Sequence, residues 1–181
     1  MKIKEDNKMN GKTVLVLGGG WGGLAVAHRL RGHLGPEHRV AVIEKNSSFS
    51  MGFSNLWIMT GERRYPDDTE RSLSSLVRKD IEWIHAEVTR IEPEKKIVHT
   101  TAGTLSGDYL VIAMGSESYM EGVPGFNSAY NLYDAASAAR LHDALMQFNG
   151  GKIVIFVSGT PFRCPPAPYE AALLIESLLR S

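Results

Sequence analysis

Several short runs of apolar residues are spaced along the chain, each closed by glycine or by polar residues. Thr13 to Leu17, Val40 to Ile43, Tyr109 to Ala113 and Ile153 to Val157 contain almost no polar positions. A run of that length bounded by turn residues reads as a strand buried on both faces of a parallel sheet. From Leu24 to about Leu34 the period changes: Leu24, Val26, Ala27, Leu30 and Leu34 recur at helical spacing, and Gly35-Pro36 stops the helix. Strand, helix and strand from Thr13 to Glu44 make one βαβ unit, the crossover that a parallel pair needs.

Beyond Glu44 the pattern is less regular. Ser47 to Gly61 mixes Ser, Gly and Asn with Phe49, Met51, Phe53, Leu56 and Trp57, and reads as a loop or short helix carrying large apolar groups. Asp67 to Lys79 reads as a surface helix, and Ile81 to Val88 as a strand. A polar hairpin follows through Glu92-Pro93-Glu94-Lys95 and Thr101-Ala102-Gly103. Asp134 to Phe148 predicts an amphipathic helix capped by Gly150-Gly151. Lys152 to Val157 predicts another buried strand, Ser158 to Pro168 a proline-rich loop, and Tyr169 onward a helix presenting Ala171, Leu174, Ile175 and Leu178.

The fold class expected is therefore α/β. Residues 12–148 form a Rossmann-like domain, a parallel sheet with helices and a small β-hairpin insertion; residues 149–181 supply the first strand and helix of a second such domain; residues 1–11 are a flexible N-terminus. A second unit that stops after one strand and one helix points to a piece of a longer protein.

Composition narrows the function classes. Among 181 residues, 20 Lys+Arg balance 20 Asp+Glu, and no basic run exceeds two residues, so a broad nucleic-acid-binding face has no electrostatic basis. With 43% hydrophobic residues the chain can bury a core. Met1 to Lys12 is polar and lysine-rich, without the apolar stretch of a secretory signal, and no apolar run approaches the roughly 20 residues that cross a bilayer. The expected compartment is the cytoplasm, with contact to a membrane limited to its surface. The six histidines are scattered with no pair at metal spacing, and a single cysteine, Cys164, rules out an internal disulfide and a cysteine-based zinc cluster; no metal site is expected.

Gly18-Gly19-Gly20-Trp21-Gly22-Gly23 fits G-x-G-x-x-G with Gly18, Gly20 and Gly23 in the three glycine positions. Gly18 permits the turn out of the strand, Gly20 lets the backbone approach a pyrophosphate, and Gly23 allows close packing of helix on strand. The free N–H groups and the helix dipole then favour the phosphates. A glycine turn with no ligand can look the same, but this one follows a buried strand, opens a helix, and precedes a second strand ending in Glu44, 26 residues after Gly18. A carboxylate there accepts hydrogen bonds from ribose hydroxyls and repels a 2′-phosphate; otherwise it is a solvated acid at a strand end. Gly18, Gly20, Trp21, Gly22, Gly23, Glu44 and Lys45 are the candidate residues for the adenosine half of the cofactor.

Gly107-Asp108-Tyr109-Leu110-Val111-Ile112-Ala113-Met114-Gly115 resembles the second motif of the two-dinucleotide-domain flavoprotein oxidoreductases, with Gly107 where an aromatic is usual and Met114 where Thr is usual. The resemblance favours FAD over NAD as the dinucleotide. The loop Ser158 to Pro168 contains four prolines, which lack N–H donors and forbid a tight glycine turn, so it is a poor cradle for a second pyrophosphate. It fixes one thiol beside Arg163, whose charge favours the thiolate.

Phe162-Arg163-Cys164-Pro165-Pro166-Ala167-Pro168-Tyr169-Glu170 resembles the motif around one redox cysteine of the sulfide:quinone oxidoreductases and of the flavoprotein subunit of sulfide dehydrogenases. Phe53-Ser54-Asn55-Leu56-Trp57 is similar to an aromatic stretch those proteins carry, with Leu56 where Pro is usual. The resemblance implies noncovalent FAD, since no further cysteine is available to attach it. It implies ADP-half contacts at the glycine loop and Glu44, adenine contact at the Val88 backbone, and approach of Ala113, Met114 and Gly115 to the middle of the cofactor. It also implies a sulfide-oxidising thiol at Cys164 whose partner lies beyond Ser181, with quinone or a cytochrome as acceptor. Contact with a membrane surface through a part of the family fold that this chain lacks, and a homo-oligomer, are compatible with it.

Glu170 is the candidate acceptor of a proton from hydrosulfide, or simply an acid suited to a helix N-terminus. Trp57 lines a flavin or quinone pocket, or packs in the core. Two other readings compete with sulfide oxidation: an NADH:quinone or disulfide reductase, and a non-catalytic FAD-binding fragment or subunit that a partner completes.

Overall fold

A computed structural model describes residues 11–118 and 122–180. The expectation of a flexible N-terminal segment falls, but for Gly11, outside them. The chain divides into two compact units, residues 1–49 with 71–116, and residues 50–70 with 117–181.

The first unit is built on four parallel strands. β1 (Thr13–Leu17) leads through α1 (Trp21–Arg31) to β2 (Arg39–Glu44), and β5 (Glu82–His85) and β9 (Tyr109–Ile112) complete the sheet in the order β5-β2-β1-β9. The register pairs Val14 with Val40 and with Tyr109, and Ala41 with Glu82. β1 and β2 are central, so their side chains pack on both faces, which is why their sequences are continuously apolar rather than alternating. Val14, Val16, Val40 and Val42 join Ala27 of α1 on one face; Leu15, Leu17, Ala41 and Ile43 join Val98 on the other. Chain order reverses at β1, with β2 on one side and β9 on the other, which makes the carboxyl end of β1 the topological switch point of the sheet, where open α/β folds bind ligands.

The second face is covered by an antiparallel sheet, β6 (Val88–Glu92), β7 (Ile97–Thr100) and β8 (Gly103–Ser106), the expected hairpin insertion. Two short strands, β3 (Ser48–Ser50) and β4 (Glu70–Ser72), pair with each other. In the second unit, α2 (Ser54–Thr60), α3 (Ala135–Met146) and α4 (Ala167–Arg180) carry a smaller core of Met59, Leu145, Ala171 and Ile175. Asn55 Nδ2 donates to the Leu132 carbonyl at 3.0 Å, and His142 Nδ1 lies 3.1 Å from the Met59 carbonyl, which ties α2 to α3.

Four local expectations are corrected. Lys152 to Val157 forms no strand; Val154 and Phe156 are 68% and 57% exposed. An apolar run becomes a strand only where its N–H and C=O groups find a ladder, and none is formed there. Ile81 to Val88 is not one strand, because after β5 the chain turns at Ala86 and Glu87 and enters the antiparallel sheet as β6. Asp67 to Lys79 holds β4 and then a 3-10 helix, Leu73–Lys79, with the Ser72 hydroxyl accepting from Ser74 N–H at its start. β9 is an edge strand with Tyr109 and Ile112 exposed, not a fully buried one.

Candidate functional site

The glycine loop lies at the switch point, between the end of β1 and the start of α1. Gly18 adopts φ +103°, a left-handed conformation that a Cβ disfavours, and a Cβ there would meet the Ala113 carbonyl oxygen at 2.4 Å. Gly23 is constrained differently: a Cβ would lie 1.9 Å from the Gly18 carbonyl oxygen. These two glycines are required by the fold itself. Gly20 is not, since a Cβ would find nothing within 4 Å and φ is an ordinary −82°. Its side faces open space in front of the N-terminus of α1, where no side chain caps the helix and the first turn carries no acid. Uncapped N–H groups next to a space that only a Cβ would invade fit a dinucleotide pyrophosphate.

Glu44, at the end of β2, turns back onto the loop. Gly19 N–H donates to Glu44 Oε2 at 2.7 Å, and the Asn46 backbone N–H and Nδ2 both donate to Oε1, at 2.8 and 2.7 Å. Three donors occupy three of the roughly four lone-pair sites of a carboxylate, so acceptor capacity remains for a ribose hydroxyl. Asn46 is a contributor that the sequence pattern did not single out, although its place two residues after the acid is where a short amide reaches back.

Ala113 and Met114 do join the loop. Ala113 N–H donates to the Leu17 carbonyl at 2.8 Å, and a Cβ on Gly22 would stand 3.6 Å from Ala113 Cβ. Gly115 follows with φ +72°. Trp21, 56% exposed, packs edge-to-face on Phe49 with ring centroids 5.9 Å apart, a contact not foreseen from the sequence. Lys45 Nζ lies 4.0 Å from Glu87 Oε1. Val88 opens β6 beside an irregularity in the ladder between Val88 and Arg90, with its side chain against the core that includes Leu15 and Ile43.

In the second unit, Cys164 is exposed and adopts φ +51°, and its carbonyl accepts from Ala167 N–H at 3.0 Å, just where α4 begins. Pro168 falls in the first turn of α4, where a missing N–H costs nothing. Glu170 is exposed in the same turn. Ser54 and Asn55 are buried and brace α2, while Phe53 and Trp57 are 66% and 45% exposed, which excludes full core packing for Trp57. Among the described residues no group of three or more His, Cys, Asp or Glu is placed to hold a metal ion, and no helix is long and apolar enough to cross a membrane.

Comparison with known proteins gives the loop and the thiol a context. The model of the pyridine nucleotide-disulphide oxidoreductases matches residues 12–159, and that of the central part of the sulfide dehydrogenase [flavocytochrome c] flavoprotein chain matches residues 139–181. The mitochondrial sulfide:quinone oxidoreductase of Mus musculus is 27% identical over 179 residues, covering 94% of this chain and 39% of the relative. A type II NADH:quinone oxidoreductase of Staphylococcus saprophyticus is 32% identical over 136 residues, covering 72% of this chain and 33% of the relative. The solved structure of the sulfide:quinone oxidoreductase from Aquifex aeolicus superposes with a TM-score of 0.68 at 28% identity, over 76% of this chain and 32% of that one. The chain spans about two-fifths of the length of the first curated relatives it matches.

Proposed function

The chain belongs to the pyridine nucleotide-disulphide oxidoreductase family, and from that premise we propose that it is the FAD-binding, thiol-bearing portion of a sulfide:quinone oxidoreductase-like flavoenzyme. One observation favours sulfide chemistry over the other activities of the family. The segment that carries Cys164 falls within the match to the sulfide dehydrogenase flavoprotein chain, and it presents the thiol, exposed, in a proline frame.

The glycine loop and the start of α1 would hold the pyrophosphate, Glu44 the adenosine ribose, and Ala113 to Gly115 would lie against the middle of the cofactor. FAD, when bound, supplies a two-electron acceptor. Cys164 supplies one sulfur of a disulfide or sulfur bridge. Hydrosulfide attack breaks that S–S bond, leaving a persulfide on one sulfur and a thiolate on the other. The second sulfur must come from another thiol, because Cys164 is the only cysteine among the 181 residues. Glu170, one turn into α4, takes the proton that hydrosulfide releases. The electrons pass on to quinone, and we place the protein in the cytoplasm, in contact with a membrane only at its surface.

The 32% identity to a type II NADH:quinone oxidoreductase supports NADH as the alternative reductant. The loop from Ser158 to Pro168 argues against it, since its prolines deny a second pyrophosphate the backbone donors it needs.

Two measurements test the reading. The chain carrying Cys164 as a mixed disulfide with a small thiol is treated with sulfide, and mass spectrometry is expected to find one added sulfur on Cys164 or on the released thiol. The chain loaded with FAD, with a small disulfide supplied, is then mixed anaerobically with sulfide or with NADH. Rapid flavin bleaching by NADH and none by sulfide would overturn the proposal.

A further inference from the structure

Two side chains that touch Arg163, those of Tyr133 and Ser118, have no part in the sulfide reading. Tyr133, just ahead of α3, donates its hydroxyl hydrogen to the Arg163 carbonyl oxygen at 2.5 Å. The Arg163 guanidinium carbon lies 5.3 Å from the centroid of the same tyrosine ring, within range of a cation–π contact, and Arg163 Nη2 donates to Ser118 Oγ at 2.9 Å. One tyrosine therefore grips both the backbone and the side chain of the residue immediately before the thiol.

That residue pair needs a grip. Cys164 holds φ +51°, a left-handed conformation that side chains with a Cβ disfavour and that persists only where neighbouring contacts fix it. On its C-terminal side the Cys164 carbonyl is held by Ala167 N–H at 3.0 Å. On its N-terminal side the contact in place is the Tyr133 hydroxyl on the Arg163 carbonyl. The Tyr133 hydroxyl is also within electrostatic reach of both neighbours. Burial raises its pKa above the ordinary tyrosine value, negative charge at Cys164 raises it further, and the Arg163 charge lowers it.

We propose that Tyr133 is the positioning residue of Cys164: its hydroxyl pins the Arg163–Cys164 peptide and its ring holds the Arg163 guanidinium, so that an anionic sulfur nucleophile meets the thiol site beside a fixed positive charge. The choice of an anionic sulfur substrate rests on the sulfide reading. The positioning role does not require a bound flavin.

Because Cys164 is the sole cysteine, alkylation of the 181-residue chain reports on this thiol alone. Rates are measured with neutral iodoacetamide and with anionic iodoacetate for the wild type, Tyr133→Phe, Tyr133→Leu, Arg163→Ala and Arg163→Lys, with circular dichroism to show that each is folded. The iodoacetate-to-iodoacetamide ratio is expected to fall about threefold in Tyr133→Leu and Arg163→Ala, the size that exposed charge interactions reach. A smaller fall is expected in Tyr133→Phe, which keeps the ring and loses only the hydrogen bond, and partial rescue in Arg163→Lys. A merely structural tyrosine would change the melting temperature and leave the ratio alone.

Folded Tyr133 variants with the wild-type ratio would overturn the proposal, and should Tyr133→Leu fail to fold, Tyr133→Phe decides by itself. If the ratio falls as expected while sulfide leaves the Cys164 mixed disulfide unattacked, the positioning role stands and the sulfide reading falls. If sulfide attacks and the ratio does not move, only the positioning role is lost.

Discussion

Gly20 and Gly23 stand three residues apart in one loop and answer to different demands. A methyl on Gly23 would meet the Gly18 carbonyl oxygen at 1.9 Å, a contact between backbone and a new Cβ that no side-chain rotation relieves. Gly23→Ala is expected to destabilise the chain by about 3 kcal/mol, the upper part of the overpacking range, measured by denaturant unfolding. A methyl on Gly20 would touch nothing within 4 Å. Gly20→Ala should cost about 1 kcal/mol or less as a change at a helix N-cap, yet weaken FAD binding about tenfold or more. A Gly20→Ala chain that binds FAD like the wild type, in a fluorescence titration, would refute the placement of the pyrophosphate. The glycine spacing already assigns packing of helix on strand to Gly23 and approach to a pyrophosphate to Gly20, but it cannot show which atoms impose either task. The difference lies in what stands opposite each Cβ: the Gly18 carbonyl and Val16 for Gly23, and open space for Gly20.

The antiparallel sheet carries its own electrostatic clip. Glu92, at the end of β6, accepts from His99 Nε2 of β7 at 2.9 Å and from Lys95 Nζ at 2.9 Å, with Arg90 Nη2 3.4 Å away. The hydrogen bond from His99, then that from Lys95, lowers its pKa from 4.5 to about 2. A carboxylate whose folded pKa is depressed adds stability above its unfolded pKa and loses it as pH falls. The β6–β7 contribution should thus be intact above about pH 4.5 and vanish as pH drops through about 2. Hydrogen exchange at β6 and β7 amides, compared between wild type and Glu92→Gln, checks this; the variant should show a flatter pH response across that window, and equal slopes would count against the clip. Elements of this kind were legible where the signal is local. β1, α1, β2, the hairpin insertion, α3 and α4 all follow from short-range periodicity and turn residues. The division of 81–88 between two sheets was not, because Trp83, Ile84 and Val88 are apolar whichever sheet they enter, and only the partner strands decide.

The two compact units bury very different amounts of apolar chain. The first packs cores on both faces of its four-stranded sheet, whereas the second gathers a smaller buried cluster, Met59, Leu145, Ala171 and Ile175, among three helices. The second also holds an exposed apolar run, Ile153 to Val157, with Ile153 39%, Val154 68%, Phe156 57% and Val157 43% accessible and Ile155 packed against the core. Apolar patterning identified those residues as strand-forming, and that tendency is real. It is unmet because strand formation is a property of a pair, and a single sequence shows the willing member without showing its partner. An unladdered apolar segment leaves its N–H groups to solvent and offers a template for pairing with another chain. Amides 153–157 should therefore exchange at nearly unprotected rates in dilute protein, α4 amides more slowly, and β1 and β2 amides slowest, since local opening is easiest where few buried contacts resist it. Raising the protein concentration should slow exchange at 153–157 specifically if a second copy completes the ladder. Protection equal to that of β2 in the dilute chain would show that the segment pairs within the molecule, and an open ladder at 153–157 would then be the wrong description of the second unit.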